Sequence, residues 1–166
     1  MGITAPELLN DEHALSLFSC SNQALDDWLV KKAIMSQKKN NAKVYVVTDS
    51  VTEQVVGYYA IAMGSVQRDH AISALRRNSP NPIPMVVLAR LAVHKEYHGK
   101  GIGVGLLKDC VRRSAHAMNV VGGAGILVHA IGETAKRFYS KFGFSESTFD
   151  PMTLMARIKD IEKVKN

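Results

Sequence analysis

Three glycines at alternate positions, Gly99, Gly101 and Gly103, form the pattern in this sequence that most clearly suggests chemistry. They follow an apolar segment with the character of a strand and precede a segment with the apolar spacing of an amphipathic helix. Glycine has no Cβ, so backbone N–H groups can converge on one point there, and the helix N-terminus adds partial positive charge. The pattern predicts an anion site that fits a diphosphate, with a glycine-rich turn that binds no ligand as the alternative.

Two common nucleotide-binding motifs do not match this turn. A Walker loop requires Gly-Lys followed by Ser or Thr, but Gly101 follows Lys100 here. The dinucleotide fingerprint GxGxxG would end on Val104 when counted from Gly99, and on Leu106 when counted from Gly101. The predicted diphosphate site therefore belongs to neither class.

The segments around the turn predict a mixed α/β fold, in which helices pack on a central sheet. Along the chain we predict a helix over 22–38, strands over 44–48, 54–66 and 85–93, a helix from the glycine turn to about 118, a strand over 126–129, a helix over 133–142, and short strands over 144–147 and 152–157. Three prolines at alternate positions make 76–84 a loop, and the 85–93 strand looks buried on both faces. The tail over 158–166 is polar and forms either a single helical turn or a frayed end.

The composition predicts one soluble globular domain over 1–166. The chain has 166 residues, of which 46% are hydrophobic and 22% charged, and this mix supports a core without a disulfide or a metal. Cys20 and Cys110 lie far apart and form no CxxC pair, which fits a reduced cytosol and two small buried side chains. His94, His98, His116 and His129 share no ligand spacing with these cysteines, so we expect no metal.

Hydropathy and charge indicate where the protein acts and what it meets. The longest apolar stretch, residues 55–63, is too short to cross a bilayer, and the N-terminus has no signal-peptide pattern, so we expect a cytoplasmic protein without membrane contact. A net charge of +6 and a pI near 9.4 favour a polyanionic partner, such as nucleic acid, an acidic protein or a phosphorylated cofactor. A basic solvated surface with no partner is the alternative.

Four motifs occur in a fixed order along the chain: Leu91-Ala92-Val93, His98-x-x-Gly101-x-Gly103, Leu106-Leu107 and Ala135-x-x-Phe138-Tyr139-x-x-Phe142-Gly143-Phe144. The first three resemble the acetyl-CoA signature of the GNAT acetyltransferases, and the last is similar to the final helix of that family. The signature reads Arg or Gln, two residues, Gly, one residue, then Gly or Ala, so His98 is a departure at its first position. The resemblance implies the GNAT fold: a mixed central sheet flanked by helices, with a strand–glycine turn–helix site for acetyl-CoA.

The resemblance also implies how acetyl-CoA is held as cosubstrate. Amides of residues 98–104 would hold its pyrophosphate, residues 91–93 would pair with its pantetheine arm, and a strand N–H such as that of Val93 would polarise the acetyl carbonyl. Tyr139 would be the general acid that protonates the departing thiolate, with a core aromatic side chain as the alternative. The implied binding residues are Leu91, Ala92, Val93, His98, Gly99, Lys100, Gly101, Ile102, Gly103 and Val104.

Four further segments are Phe18-Ser19-Cys20 leading to Leu25-Asp26-Asp27-Trp28-Leu29, Leu88-Ala89-Arg90-Leu91-Ala92-Val93, Val128-His129-Ala130 and Asp150-Pro151-Met152-Thr153-Leu154. They resemble the toxin branch of the family, the aminoacyl-tRNA acetylating toxins of type II toxin–antitoxin modules. That branch implies acetylation of the free α-amino group of aminoacyl-tRNA and a block of translation. It also implies a ribbon-helix-helix antitoxin as partner and a homodimer. Ordinary core and turn residues are the alternative reading of these segments.

A tRNA substrate requires contacts to its phosphates. The candidates are Lys31, Lys32, Lys38, Lys39, Arg76, Arg77 and Arg90. A solvated face is the alternative for the lysines. Arg90 interrupts an apolar strand, so its charge must emerge into a cleft or find a partner.

The chemistry of acetyl transfer to an α-amino group requires little help from a base. Such an amine has a pKa of about 7.7–8.0, and an ester on the same carbon lowers it further. No glutamate lies beside residues 91–93, and we predict that His129 is a hydrogen-bonded structural residue rather than a base. Two other functions stay open at this point: acetylation of a small amine or a protein N-terminus, and a non-catalytic CoA-binding or nucleic-acid-binding module.

Overall fold

A computed structural model describes residues 2–164 of the chain, and over this range it contains seven strands and six α-helices. The strands are β1 (Glu7–Leu8), β2 (Lys43–Thr48), β3 (Val55–Val66), β4 (Ile83–Val93), β5 (Ile126–His129), β6 (Ser145–Glu146) and β7 (Thr153–Ala156). The helices are α1 (Gln23–Lys31), α2 (Ala33–Lys38), α3 (Ser73–Arg76), α4 (Ile102–Val121), α5 (Glu133–Lys141) and α6 (Ile158–Val164).

The seven strands form one sheet in the order β1-β2-β3-β4-β5-β7-β6. β4 and β5 pair in parallel, with Val86 opposite Ile126 and Leu88 opposite Val128. The β1–β2, β2–β3, β5–β7 and β6–β7 pairs are antiparallel. The sheet is therefore mixed, as the sequence predicts.

The chain forms two compact units. The first comprises Met1–Ala62 and Arg90–Cys110, and the second comprises Met63–Ala89 and Val111–Asn166. Strands β3 and β4 and helix α4 each pass from one unit into the other. The single domain over 1–166 stays a prediction.

Each unit has its own apolar core, and both cores consist mainly of the β-branched, aliphatic and aromatic side chains that pack well on a sheet. In the first unit the buried cluster is Leu9, Phe18, Leu29, Ala33, Val44, Val46, Val55, Tyr58, Ala60 and Ala92. In the second unit it is Val66, Ala71, Leu75, Ile83, Met85, Leu127 and Met155.

The first predicted helix is broken in two. Asn22 caps α1, since its side chain accepts a hydrogen bond from the Leu25 N–H at 3.2 Å. The chain leaves helical geometry at Lys32, whose φ is −126°, and α2 begins at the next residue. Lysine favours helices, so this break gives no signal in the sequence.

Other boundaries also differ from the prediction. β4 begins at Ile83, inside the predicted loop, and its first residues alternate between buried (Ile83, Met85) and exposed (Pro84), so this strand is not buried on both faces. Helix α4 continues to Val121 rather than to about residue 118. The tail forms the seven-residue helix α6, longer than a single turn, and residues 165–166 lie outside the described part of the chain.

Candidate active site

The glycine turn predicted from the sequence leads directly into α4. Gly99 and Gly101 both have a φ of 79°, in the left-handed region that residues with a Cβ rarely adopt. A Cβ built on either residue would meet no atom within 4 Å, so backbone conformation rather than crowding favours glycine here. Because α4 begins at Ile102, its first backbone N–H groups have no acceptor within the helix. The turn therefore offers donors and a positive helix end to an anion.

The first turn of α4 packs closely on β3 at Gly57. A Cβ at Gly57 would lie 3.2 Å from Ile102 Cγ2, 3.1 Å from Leu106 Cδ1 and 3.0 Å from Val47 Cγ2. All four residues are buried or lack a side chain, so the helix start has no room to shift toward the sheet. Gly57 thus lets the sheet hold the N-terminus of α4 in place, a role that the sequence analysis missed.

His98 connects the glycine turn to the end of β4. Its Nε2 lies 2.8 Å from the carbonyl oxygen of Val93, to which it donates a hydrogen bond. His94, the residue that follows β4, donates its backbone N–H to the carbonyl of Val56 in β3 at 2.8 Å. Since backbone groups of successive strand residues face opposite edges, the N–H of Val93 points away from β3. Val93 therefore has the orientation that its predicted role as a donor requires.

Lys100 and Tyr97 fix the outer side of the turn. Lys100 Nζ lies 5.5 Å from the centre of the Tyr97 ring, within the range of a cation–π contact. The Tyr97 hydroxyl donates a hydrogen bond to Asp49, which lowers the pKa of the Asp49 carboxyl and raises the pKa of Tyr97. Through this chain of contacts, the β2–β3 hairpin supports a lysine beside the predicted anion site.

Tyr139 lies in α5 and is 6% exposed. Its ring makes edge-on contacts with Phe138, at 5.2 Å between ring centres, and with Phe144, at 5.7 Å. The helix ends at Lys141, and Gly143 follows with a φ of 98°, in the left-handed conformation that commonly ends a helix. An aromatic cluster therefore fixes the direction of the Tyr139 side chain.

Arg90 finds its partner in an aromatic face. Its guanidinium carbon lies 4.2 Å from the centre of the Trp28 ring, and Trp28 in turn stacks on Tyr58. The Tyr58 hydroxyl donates to the carbonyl of Leu25 at 2.7 Å, and burial raises the pKa of this tyrosine. The expected partner for the charge of Arg90 is thus a tryptophan rather than a carboxylate.

The other basic candidates fall into two groups. Lys31 pairs with Asp27 at 3.7 Å and Lys38 with Asp11 at 3.3 Å, and all four side chains are well exposed. Arg76 donates to a backbone carbonyl at 3.0 Å. Lys32, Lys39 and Arg77 are exposed. The lysines share the α1–α2 segment of the first unit, whereas Arg76 and Arg77 belong to the second unit.

Residues 40–146 of the chain match the family model described as an acetyltransferase (GNAT) domain. The chain belongs to the GNAT acetyltransferase family. The matched range contains the glycine turn, the end of β4 and Tyr139, so the family assignment covers every predicted catalytic and acetyl-CoA-binding residue.

Two curated GNAT relatives are similar along nearly the whole chain. The tRNA-acetylating toxin of Mycobacterium tuberculosis is 38% identical over 96% of this chain and 95% of its own length. The probable toxin TacT of Sinorhizobium fredii is 27% identical over 93% of this chain and 90% of its own length. The predicted resemblance to the toxin branch is therefore confirmed.

Solved structures show the same fold. A tyrosine-to-phenylalanine mutant of KacT aligns with a TM-score of 0.90 at 25% identity, over 98% of this chain and 99% of the other. AtaT complexed with acetyl-methionyl-tRNAfMet aligns with a TM-score of 0.89 at 27% identity, over 99% of both chains. These alignments confirm the predicted GNAT fold.

Neither cysteine of this GNAT acetyltransferase is suited to carry an acetyl group. Burial and a hydrogen bond with Asp26 raise the pKa of Cys20 to about 11, so its thiol stays protonated near neutral pH. Cys110 is fully buried. The arrangement favours direct transfer between two bound substrates over a cysteine intermediate.

The rings of two further histidines, His94 and His129, form hydrogen bonds within the protein. His94 lines a cavity of about 620 Å³; its Nδ1 accepts from the Glu96 N–H at 3.1 Å and its Nε2 lies 3.2 Å from the Leu17 carbonyl. His129 Nδ1 lies 2.8 Å from the Thr153 hydroxyl oxygen, and the His129 side chain is exposed. Its predicted structural role stays a prediction.

Among residues 2–164, no cluster of three or more His, Cys, Asp or Glu side chains is placed to hold a metal ion. No helix in that range is both long and apolar enough to cross a membrane.

Proposed function

We propose that this chain is a toxin acetyltransferase, which transfers the acetyl group of acetyl-CoA to the free α-amino group of aminoacyl-tRNA and so blocks translation. The observation that carries the proposal is the similarity to the tRNA-acetylating toxin along nearly the whole length of both chains. The net charge of +6 suits a polyanionic substrate. Because charged tRNA is cytoplasmic, the protein would act there.

The glycine turn supports acetyl-CoA as the cosubstrate. Left-handed glycines before a 20-residue helix fit a diphosphate, and no Cβ fills the space above Gly99 or Gly101. Related AtaT structures are bound to acetyl-CoA. The residues that we assign to binding are Leu91, Ala92, Val93, His98, Gly99, Lys100, Gly101, Ile102, Gly103 and Val104.

Two groups of the chain would act on the reaction itself. Acetyl-CoA supplies the acetyl thioester, and the N–H of Val93, which points away from β3, would donate to its carbonyl oxygen. As the C–N bond forms and the C–S bond breaks, the Tyr139 hydroxyl would give its proton to the departing thiolate. A phenol suits this step, because it holds its proton until a strong base forms beside it.

The partners of the toxin branch extend the proposal. Structures of AtaT include a complex with the C-terminus of the antitoxin AtaR, and KacT has been solved in a KacTA–DNA complex. We therefore expect a cognate antitoxin, of the ribbon-helix-helix class that binds DNA, and a homodimer of this chain. Phosphate contacts are assigned to Lys31, Lys32, Lys38, Lys39, Arg76, Arg77 and Arg90.

The test is acetyl transfer from labelled acetyl-CoA to a pool of charged tRNA, followed by alkaline release and identification of the N-acetyl amino acid. We expect label on the amino acid with wild type, and a kcat lower by roughly 10²–10⁴-fold with Tyr139→Phe at unchanged affinity for acetyl-CoA. Tyr45→Phe, which removes a hydroxyl from β2, serves as the matched control. Label on a polyamine or a protein N-terminus, with none on charged tRNA, would show that the substrate assignment is wrong.

A further inference from the structure

A second cavity, of about 440 Å³, lies entirely within the second unit. It is lined by the apolar residues Val66, Val87 and Leu127 and by His129, the last residue of β5. The carboxyl ends of parallel strands are where ligands commonly bind in α/β sheets, and β5 is one of the two parallel strands here. The cavity therefore has both the place and the mixed polarity of a substrate pocket.

Hydrogen bonds around His129 determine which ring nitrogen carries the proton. The Asp150 carboxylate accepts from the Met152 N–H at 3.0 Å and from the Thr153 hydroxyl at 2.9 Å, and both bonds lower the pKa of Asp150. Because the Thr153 proton is directed to Asp150, the Thr153 oxygen must accept from His129 Nδ1, which lies 2.8 Å away. The neutral imidazole then carries its hydrogen on Nδ1 and its free lone pair on Nε2.

The pairing of β5 with β7 fixes the positions of His129 and Thr153 relative to each other. His129 and Thr153 are cross-strand partners in the β5–β7 pair, and Thr153 is 7% exposed while His129 is exposed. No hydrogen bond from Nε2 of His129 to the described residues accompanies the Nδ1 bond. Nε2 is therefore a basic nitrogen of fixed tautomer that a ligand in the cavity can reach.

Residues 147–149, of which Ser147 and Phe149 line the same cavity, are held by hydrogen bonds and a ring contact. The Ser147 hydroxyl donates to the carbonyl of His70 at 2.6 Å, and the Thr148 hydroxyl donates to the carbonyl of Asp69 at 2.7 Å. Phe149 stacks on the His70 ring at 4.1 Å between centres, and it stays 72% exposed. An aromatic ring and a basic nitrogen that line the same cavity suit a small amine with an apolar substituent, which is the chemistry of an amino acid attached through its carboxyl group.

We propose that His129, which the sequence analysis takes as a structural residue, is instead a catalytic residue that accepts the proton of the acceptor amine. Thr153 and Asp150 are positioning residues for it. The identity of the amine rests on the proposed function. The neutral amine nitrogen forms the C–N bond while the C–S bond breaks. The proton that the nitrogen must lose passes to Nε2 of His129, and the thiolate receives its proton from Tyr139. Solvent then removes the proton from the imidazolium and returns one to Tyr139, so the products are the amide and the free thiol.

The test measures kcat on charged tRNA for His129→Ala and His129→Gln, with His116→Ala on the exposed part of α4 as matched control. Neither alanine nor glutamine offers a basic nitrogen, so both His129 variants should lose roughly 10²-fold in kcat at unchanged affinity for acetyl-CoA. Added imidazole should restore at least tenfold to His129→Ala and nothing to His116→Ala. Thr153→Val, of similar volume, should fall between wild type and His129→Ala.

Wild-type activity in His129→Gln would overturn the proposal, and so would a loss in His129→Ala that imidazole does not restore in a variant with the wild-type melting temperature. These measurements distinguish a failure of the proposed function from a failure of the proposed role of His129. The amine that wild type acetylates decides the proposed function, whereas the ratio of variant to wild-type kcat on that same amine decides the role of His129.

Discussion

At the scale of single residues, His98 and the two left-handed glycines each contribute to the shape of the predicted anion site. The imidazole donates to the Val93 carbonyl and so links the turn to the strand, while Gly99 and Gly101 supply the left-handed backbone of the turn. His98, which departs from the family signature, thus contacts the end of the strand in this structure.

Gly101→Ala should weaken binding of acetyl-CoA by roughly tenfold. The open space around Gly101 accepts a methyl group, but its φ of 79° costs a residue with a Cβ about 1 kcal/mol, so the turn will shift to relieve the strain. Gly105→Ala is the control, since Gly105 lies within α4, has open space at its Cβ position and has no left-handed φ. Calorimetric titration with acetyl-CoA should show a loss for the first variant and none for the second.

Cys20 should react slowly with iodoacetamide at pH 8. Its pKa is raised to about 11 by burial and by Asp26, so only a small fraction is thiolate there, whereas an ordinary thiol is substantially ionised. The rate should increase as pH rises toward 11. Cys20→Ala should keep full acetyl transfer, and a loss of transfer in this variant would contradict direct transfer between the substrates.

At the scale of elements, the N-terminal part of α4 packs on β3 at Gly57, a residue without a side chain. Gly57 removes a side chain from β3 at the point where Ile102 and Leu106 pack, so the position of the helix N-terminus depends on one missing methyl group. On the same strand, the Tyr59 hydroxyl donates to the buried carboxylate of Asp109 at 2.6 Å, one turn further along α4. Sheet and helix therefore behave as one support for the glycine turn.

Gly57→Val should lower the melting temperature by roughly 6 °C, since overpacking of a buried position costs about 1–3 kcal/mol. It should also weaken acetyl-CoA binding at temperatures where the protein is folded, and Gly57→Ala should show a smaller effect on both. Thermal melting and calorimetric titration measure the two quantities. If Gly57→Val is destabilised but binds acetyl-CoA with unchanged affinity, the packing of α4 on β3 does not determine binding at the glycine turn.

Elements with local signals could be predicted, and those set by distant contacts could not. Glycines precede the predicted strand over 126–129 and mark its start, and this strand matches the observed β5. The cap at Asn22 and the left-handed Gly143 also follow from residue type. By contrast, the break at Lys32 contradicts local propensity, and the two-residue β1 is defined only by its pairing with β2. The role of Gly57 and the His129–Thr153–Asp150 chain depend on contacts across the sheet, which spacing along the sequence does not reveal.

At the scale of the whole molecule, a net charge of +6 is spread over helix, strand and loop positions. Within residues 2–164, Lys31 and Lys38 have acidic partners, whereas no ion pair joins Lys32 or Lys39 to an acidic side chain. A lysine that is already paired with a carboxylate must give up that ion pair to contact a phosphate, which reduces its net contribution. The unpaired lysines should therefore contribute more to tRNA binding than their neighbours.

Lys32→Ala combined with Lys39→Ala should raise the KM for charged tRNA and reduce the slope of log affinity against log salt by about 2, one for each phosphate contact. The KM for acetyl-CoA should not change. Lys31→Ala combined with Lys38→Ala removes the same charge and is the matched control with a smaller effect. Equal effects from both pairs would indicate that only net charge matters.

The central claim is that the backbone around Gly101 binds the diphosphate of acetyl-CoA and that Tyr139 protonates its sulfur. A crystal structure with bound coenzyme tests this most directly. We predict the diphosphate at the amides of residues 98–104, the pantetheine arm along residues 91–93, and the sulfur within hydrogen-bond distance of the Tyr139 hydroxyl. A coenzyme bound elsewhere with the turn empty, or a Tyr139 hydroxyl directed away from the sulfur, would contradict it.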